Sequence, residues 1–282
     1  MSTHRSEFRV EDMCRALDVS KSGFYTWVRR GPSPRARHDA DVLKPQVRIA
    51  FERSRQTYGC VRIDKVLRNV GIRTSTRRIR RIMRNDGLVP RRVRSYKCTT
   101  DSQGKKPACP DLVNRKFTAE KINRLWVSDI TQVMTREGWL YLANILDLCS
   151  RYLVGWATSD QINDNLVIQA FMMAYTHRDP EPGFIIHSDH GSQYTSKLFG
   201  SIVTLYKGVQ SMGSIGDCFD NAAAESFNAI IKGDCLDHED LISRDHATKI
   251  IFDYTETFYN RERIHSSIGY MSPSEFEKTM RV

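Results

Sequence analysis

The sequence contains no run of eighteen apolar residues, so nothing in it has the length of a membrane-spanning helix. Met1 to Arg5 lead into a charged segment without the apolar stretch of a secretory signal. There is no Gly-x-x-x-x-Gly-Lys-Ser/Thr loop, which argues against a helicase- or polymerase-type nucleotide engine. Sustained leucine heptads are missing too, and with them a built-in coiled coil. The seven cysteines (Cys14, Cys60, Cys98, Cys109, Cys149, Cys218, Cys235) are scattered, odd in number and never spaced Cys-x-x-Cys. That usage suits reduced thiols in a cytosolic protein, not a disulfide scaffold or a four-ligand zinc site.

What is present can build real cores. Hydrophobic residues make up 40% of the 282 positions and aromatics 10%, enough for one large or two to three small domains. The net charge of +10 conceals a division. Met1 to Glu120 carry 29 Lys and Arg against 12 Asp and Glu, a net +17, whereas Lys121 to Val282 carry 14 against 21, a net −7. A basic front half suits phosphate contact; an acidic back half suits carboxylates that work with cations.

Residues 11–30 read as two short helices joined by a tight turn, with Met13, Leu17 and Val19 as apolar contacts in the first and Phe24, Tyr25, Trp27 and Val28 in the second, and Ser20 available as N-cap. The proportions are those of a helix-turn-helix; a plain helical hairpin fits the spacing equally well. Two prolines in Gly31 to Arg37 then break the helix. Residues 41–90 read as three more helices, with Gly71 turning, Thr74 or Ser75 capping the third and Gly87 ending it. Ile79, Ile82 and Met83 form the apolar stripe of that third helix, and Arg77, Arg78, Arg80, Arg81 and Arg84 occupy its other faces, a density that points to DNA. The division expected is a helix-turn-helix-like unit over 1–38, a basic helical DNA-binding unit over 39–95, a basic linker over 96–120 and a catalytic core with a C-terminal helical extension over 121–282.

From Leu125 the pattern changes. LWVSDIT, WLYLANILDL and YLVGWATS are three strand-like runs joined by short turns, an antiparallel meander. Helix (164–176), strand (PGFIIHSD), helix (196–206), short strand (209–212) and helix (221–232) follow, which gives an α/β fold with a mixed five-stranded sheet flanked by helices. Asp129 falls inside the first apolar strand, where a carboxylate is costly unless paired or metal-bound. Asp189 ends the fourth strand, where ligand groups of open sheets gather, and Glu225 lies on a helix amid alanines that allow close approach. His187-x-x-His190 also invites a zinc reading, but a strand end without a second ligand pair suits zinc poorly. Asp220 and Asn221 suit a cap for the Glu225 helix, and Ser272-Pro273-x-Glu275 a capping box.

WVSDIT, HSDHGSQYTS and DNAAAESFNAIIK resemble the three signature blocks of the DDE recombinase, or retroviral-integrase, superfamily, with 35 residues between Asp189 and Glu225. Thr57-Tyr58-Gly59, EGWLYLANILDLCSR and YNRERIHSSIGYMSPSEF extend the resemblance to insertion-sequence transposases of the downstream-frame (OrfB) type, over nearly the whole chain. The resemblance implies a ribonuclease H-like core and a triad of Asp129, Asp189 and Glu225 serving as both catalytic residues and metal ligands. Three carboxylates can hold two Mg²⁺ ions, roughly 3.5–4 Å apart and with Mn²⁺ able to substitute; Asp129 would bridge both. It implies Lys232 as a grip on a terminal phosphate, with Asn228 on the same helix face, and His190 and Gln193 beside the scissile phosphate. Expected partners are double-stranded DNA at the element's ends and target, further copies of the chain on DNA, and an upstream-frame product; the expected location is the bacterial cytoplasm, on the nucleoid when bound. Gly213-Ser214-Ile215 departs from the family's pattern in lacking a basic residue. The alternatives are a ribonuclease H-like nuclease that cuts without joining, and an inactive DNA-binding regulator of transposition.

Overall fold

The structure is a computed structural model that describes residues 1–31, 33–91, 109–113, 118–213 and 222–280. Two short helices, α1 (Val10–Ala16) and α2 (Lys21–Arg30), open the chain, and the Ser20 hydroxyl caps α2 by accepting from the Gly23 amide at 3.0 Å. Cys14 and Phe24 are buried between them, but Leu17, Val19 and Trp27, expected as core, are exposed. Seventeen residues in two helices have too little surface to enclose more. The next helix runs without a break through residue 38 as α3 (Pro34–His38), a wider π-type turn (Asp39–Leu43) and α4 (Lys44–Arg53). With α5 (Cys60–Asn69) and α6 (Thr76–Asn85) it buries Leu43, Val47, Phe51, Ile63, Leu67, Ile79, Ile82 and Met83. Ser75 caps α6, and Gly71 and Gly87 take the positive φ that end the second and third helices, as the sequence indicates.

The sheet contains β1 (Leu125–Thr135), β2 (Gly138–Asp147), β3 (Leu153–Ser159), β4 (Ile185–Ser188) and β5 (Val209–Met212) in the order β3-β2-β1-β4-β5. The first three form the expected antiparallel meander, while β4 and β5 join parallel to β1. The remaining helices are α7 (Asp164–Arg178), α8 (Lys197–Leu205), α9 (Ala222–Asp234), α10 (Arg244–Asp253) and α11 (Pro273–Met280). The mixed, helix-flanked five-stranded sheet read from the sequence is the observed fold class.

The two-residue period of a strand divides the core. Trp126, Ala143, Ile145 and Val154 face α7 and α8, where Phe171, Phe184 and Phe199 stack around one another. Each such ring contributes about 2 kcal/mol through burial alone. Gly155 permits this layer: a Cβ there would lie 2.3 Å from the Ala170 carbonyl oxygen, so any other residue would push α7 off β3. Leu125, Val127, Leu140 and Leu142 face the other way, into a core shared with α9, α10 and the N-terminal helices α4–α6. The helical unit is therefore packed into the half that holds the sheet. Tyr58 of the Thr57-Tyr58-Gly59 block is buried and its hydroxyl accepts from the Ile264 amide at 2.7 Å.

The C-terminal segment is pinned by a buried pair in which Arg178 donates to Glu277, and Ser150 donates to the same carboxylate at 2.7 Å. The Ser272/Glu275 capping box forms as expected, with bonds of 3.0 and 3.3 Å. Within the stretch expected to be a linker, residues 109–113 lie along the outer strand: the Leu112 amide donates to the Ser211 hydroxyl at 3.0 Å, and Val113 is buried. Among the described residues, no helix is long and apolar enough to cross a membrane.

Candidate active site

Strand register assembles the first part of the site. Val127 of β1 pairs with His187 of β4, and the next residue but one on each strand is Asp129 and Asp189. Parallel pairing thus sets Asp129, midway along β1, beside Asp189, which follows the end of β4, on strands about 5 Å apart in the sheet direction. The same period turns Asp129 toward α9, together with Val127, and turns Ser128 the opposite way. There the Ser128 hydroxyl meets the Tyr194 hydroxyl at 2.8 Å in a fully buried contact. Tyr194 belongs to the loop after Asp189, so this contact ties that loop to β1. The Gly191 amide donates to Asp189 Oδ1 at 3.0 Å and fixes the head of the loop.

Asp129 is oriented from two sides. Its Oδ1 accepts from the Ile130 amide at 2.8 Å, and its Oδ2 accepts from Asn228 Nδ2 at 2.7 Å. Asn228 is set in turn by buried Asn144, opposite Asp129 on β2, whose Nδ2 donates to Asn228 Oδ1 at 2.8 Å and to the Asp129 carbonyl at 3.1 Å. Despite those donors, burial and the neighbouring charges of Asp189 and Glu225 push the Asp129 carboxyl up to about 7. Glu225, exposed at the start of α9 one turn before Asn228, is also raised, by burial of its carboxyl and by Asp189. Each of the three acids is thus electrostatically coupled to another of the set. Lys232, half-buried farther along α9, is lowered by burial, with Asp237 and Asp129 opposing the change.

The donor set fits a hard divalent cation. It is all oxygen, it carries like charges that repel one another, and the central carboxylate is protonated up to near neutral pH without a counter-ion. Among the described residues, however, no three His, Cys, Asp or Glu side chains are already arranged to hold one ion. The zinc reading of His187 and His190 also finds no support among the described residues. His187 is buried against the Ser211 hydroxyl at 2.9 Å, and His190 Nε2 is bonded to the Gly213 carbonyl at 2.5 Å.

The remaining candidates separate into inner and outer groups. Asn228, expected to touch DNA, is buried and committed to Asp129. Its position on α9 was visible in the sequence, but its partner was not. Asn144 and Tyr194 were missed altogether, since a buried amide within WLYLANILDL carries no chemical signal of its own. Gln193 is half-buried in the Asp189 loop. On α6, Arg77 is exposed, but Arg78 is largely buried and pairs with Asp39, which Arg81 also reaches at 2.6 Å. Arg78 therefore joins α6 to the turn before α4 instead of facing outward, and Asp39 offsets part of the charge at Arg81. Asp220, Asn221, Ser214 and Ile215 lie outside the described residues.

Comparison with known proteins gives a consistent picture. An HTH-like domain model matches residues 38–96, and Integrase core domain models match residues 119–218 and 208–273. The helix-turn-helix likeness thus falls on the unit from α4 to α6, downstream of the α1–α2 pair. The chain is 38% identical to the insertion element IS600 uncharacterized 31 kDa protein of Shigella sonnei, over 94% of this chain and 97% of that one. It is 38% identical to the transposase for insertion sequence element IS904 of Lactococcus lactis subsp. lactis (strain IL1403), over 85% and 95% respectively. It is 35% identical to transposase InsF for insertion sequence IS3A of Escherichia coli (strain K12), over 97% and 96%. Among solved structures, the HTLV-2 integrase catalytic core domain in complex with magnesium is 18% identical with a TM-score of 0.43, covering 56% of this chain and 97% of that one.

Proposed function

This chain belongs to the insertion-sequence transposases, and on that premise we propose that it cuts and joins DNA strands at the ends of its element, using Asp129, Asp189 and Glu225. The observation that carries the reading is the convergence of β1, β4 and α9: strand register sets Asp129 beside Asp189, and Asn228, one turn after Glu225, holds Asp129 Oδ2, while burial and the neighbouring acids push the Asp129 carboxyl up to about 7. Strongly shifted carboxyls of this kind concentrate at functional sites. The three carboxylates would hold the Mg²⁺ ions, with Mn²⁺ able to substitute, which supply Lewis-acid stabilisation of the attacking and leaving oxygens.

The chain's own residues do the positioning. Asn144 orients the Asn228 amide, and Asn228 holds Asp129 Oδ2. Tyr194 and Gly191 keep the Asp189 loop against β1. Lys232 lies on the Glu225 face of α9, seven residues on, where it can receive a terminal phosphate. In the first step water attacks the phosphodiester at the element's end, and the bond to the 3′ oxygen breaks, leaving a 3′-hydroxyl. In the second step that hydroxyl attacks a phosphorus of target DNA and displaces another 3′ oxygen. No covalent link to the protein forms. The fold of α4–α6 and the exposed Arg77 on it support contact with the DNA ends; assembly of several copies on DNA, an upstream-frame partner and a cytoplasmic location complete the proposal.

The test is cleavage and joining of a labelled terminal-repeat duplex with Mg²⁺, comparing the wild type with Glu225→Gln, which keeps side-chain size and removes a ligand charge. Joined products that need the metal and vanish in the variant are expected. Nicking without joining in the wild type would instead identify a nuclease, and DNA binding with no chemistry a regulator.

A further inference from the structure

The opposite face of α9 closes a cavity of about 410 Å³. Its polar lining includes Arg62 of α5, Arg151 of the β2–β3 turn, Arg263 and His265 of the C-terminal segment, Ser226 of α9, and Ser267. Among the described residues, no acidic side chain lines it. Two of these groups are almost completely buried and short of partners. Arg263 is 2% exposed and uses its Nε on Asp234 at 2.7 Å, but its Nη1 has no hydrogen-bond partner. His265 is 7% exposed, and its Nε2 likewise has none. A buried polar group without a partner costs about 1–3 kcal/mol, and two in one cavity, beside two more guanidiniums, make a ligand-shaped deficit.

We infer that this cavity is an anion site that takes a phosphate group of the DNA backbone, held by Arg62, Arg151 and Arg263 with His265. The planar, always-charged guanidinium is the side chain suited to forked phosphate recognition, and serine hydroxyls complete such cradles. The position favours a backbone phosphate over a small metabolite. The cavity lies where the helix-turn-helix-like unit, the catalytic sheet and the C-terminal segment meet, and its Ser226 adjoins Glu225 in sequence. A strand held here would be fixed relative to both the recognition helices and the catalytic helix. The unprotonated state of His265 agrees, since burial and the charges of Arg263, Arg62 and Arg151 push it down to about 2. A bound anion would relieve that.

The anion site stands on the cavity itself; its assignment to DNA rests on the transposase reading. Inorganic phosphate is titrated into the full chain while the His265 ring is followed by NMR, and a DNA duplex is then added as competitor. Saturable binding is expected, with the His265 pKa rising, affinity falling at least tenfold in Arg151→Gln, and partial recovery in Arg151→Lys. Both variants change a half-buried side chain outside the Arg263–Asp234 pair, and a thermal melt checks that they fold. DNA should displace the phosphate, and the salt dependence of DNA binding should fall by about 0.9 in log–log slope per lost phosphate contact. Absence of saturable phosphate binding, or equal binding by Arg151→Gln, would overturn the site. Phosphate binding that DNA does not displace would overturn the DNA assignment and point to a free phosphate compound. Because every readout is binding, a protein inert in strand joining would leave this result untouched.

Discussion

On one face of α9, Glu225 and Asn228 belong to a cluster in which Asp129 and Asp189 crowd negative charge where β4 ends beside β1. On the other face, Phe227 and Ile230 help roof a cavity where Arg62, Arg151 and Arg263 crowd positive charge around a neutral histidine. The helix separates these opposite excesses by its own period, because residues 225, 228 and 232 fall on one side and 223, 226, 227 and 230 on another. Both excesses oppose folding of the ligand-free chain, and each matches a different part of a metal–DNA complex.

The two sides should respond to pH in opposite directions. Asp129 has a folded pKa near 7, above its unfolded value near 4, so its contribution to stability is complete below pH 4 and lost as pH rises to 7. His265 has a folded pKa near 2, below its unfolded value near 6.5, so its contribution is present above pH 6.5 and lost as pH falls. Between pH 4 and 6.5 the two slopes oppose each other in the wild type.

The largest effect expected is that of Asp129→Asn, which should lower strand joining by roughly 10³-fold, as loss of several kcal/mol of metal-borne stabilisation requires. In metal-free melts the same variant should gain stability over the wild type as pH rises from 4 to 7, by on the order of 4 kcal/mol at the top of the range. A variant with wild-type pH dependence would break the comparison on its acidic side. Next is Asn228→Ala, expected to cost about 10–100-fold in rate and to move the alkaline-active limb of the pH–rate profile upward, because Asp129 loses a donor that favours its ionised form. A slower enzyme with an unmoved profile would make Asn228 merely structural. The smallest effect is that of His265→Gln. Its stability relative to wild type should improve by about 1.4 kcal/mol between pH 8 and pH 5.5, and added phosphate should shrink that difference. No pH-dependent difference would remove the histidine from the basic side.

Much of this was legible along the chain because it is written in local chemistry. Alternating apolar residues gave β1 to β3, Ser75 and Gly87 marked the ends of α6, and an aspartate within LWVSDIT stood out because burial penalises it. Long-range partners were not legible. Nothing in the spacing tells that Arg78 is bonded to Asp39 while its neighbour Arg77 is free to face solvent. Nor does it tell that Leu17 and Trp27 stay exposed, since whether an apolar residue is buried depends on what the rest of the chain brings to it.

The division between the two sources of information follows from the range of the forces involved. Residue identity and spacing determined most of the elements, several helix caps and the charge division, and marked the three acids as candidates, because dihedral preference, capping and side-chain periodicity act within a few residues. Tertiary structure alone decided which charges meet. Parallel pairing of β1 with β4 put Asp129 beside Asp189, packing of α9 supplied Asn228 to hold it, and docking of Tyr58 on the segment at Ile264 brought Arg62 to Arg263. Electrostatic energy depends on distance and burial, and neither exists until the chain has folded.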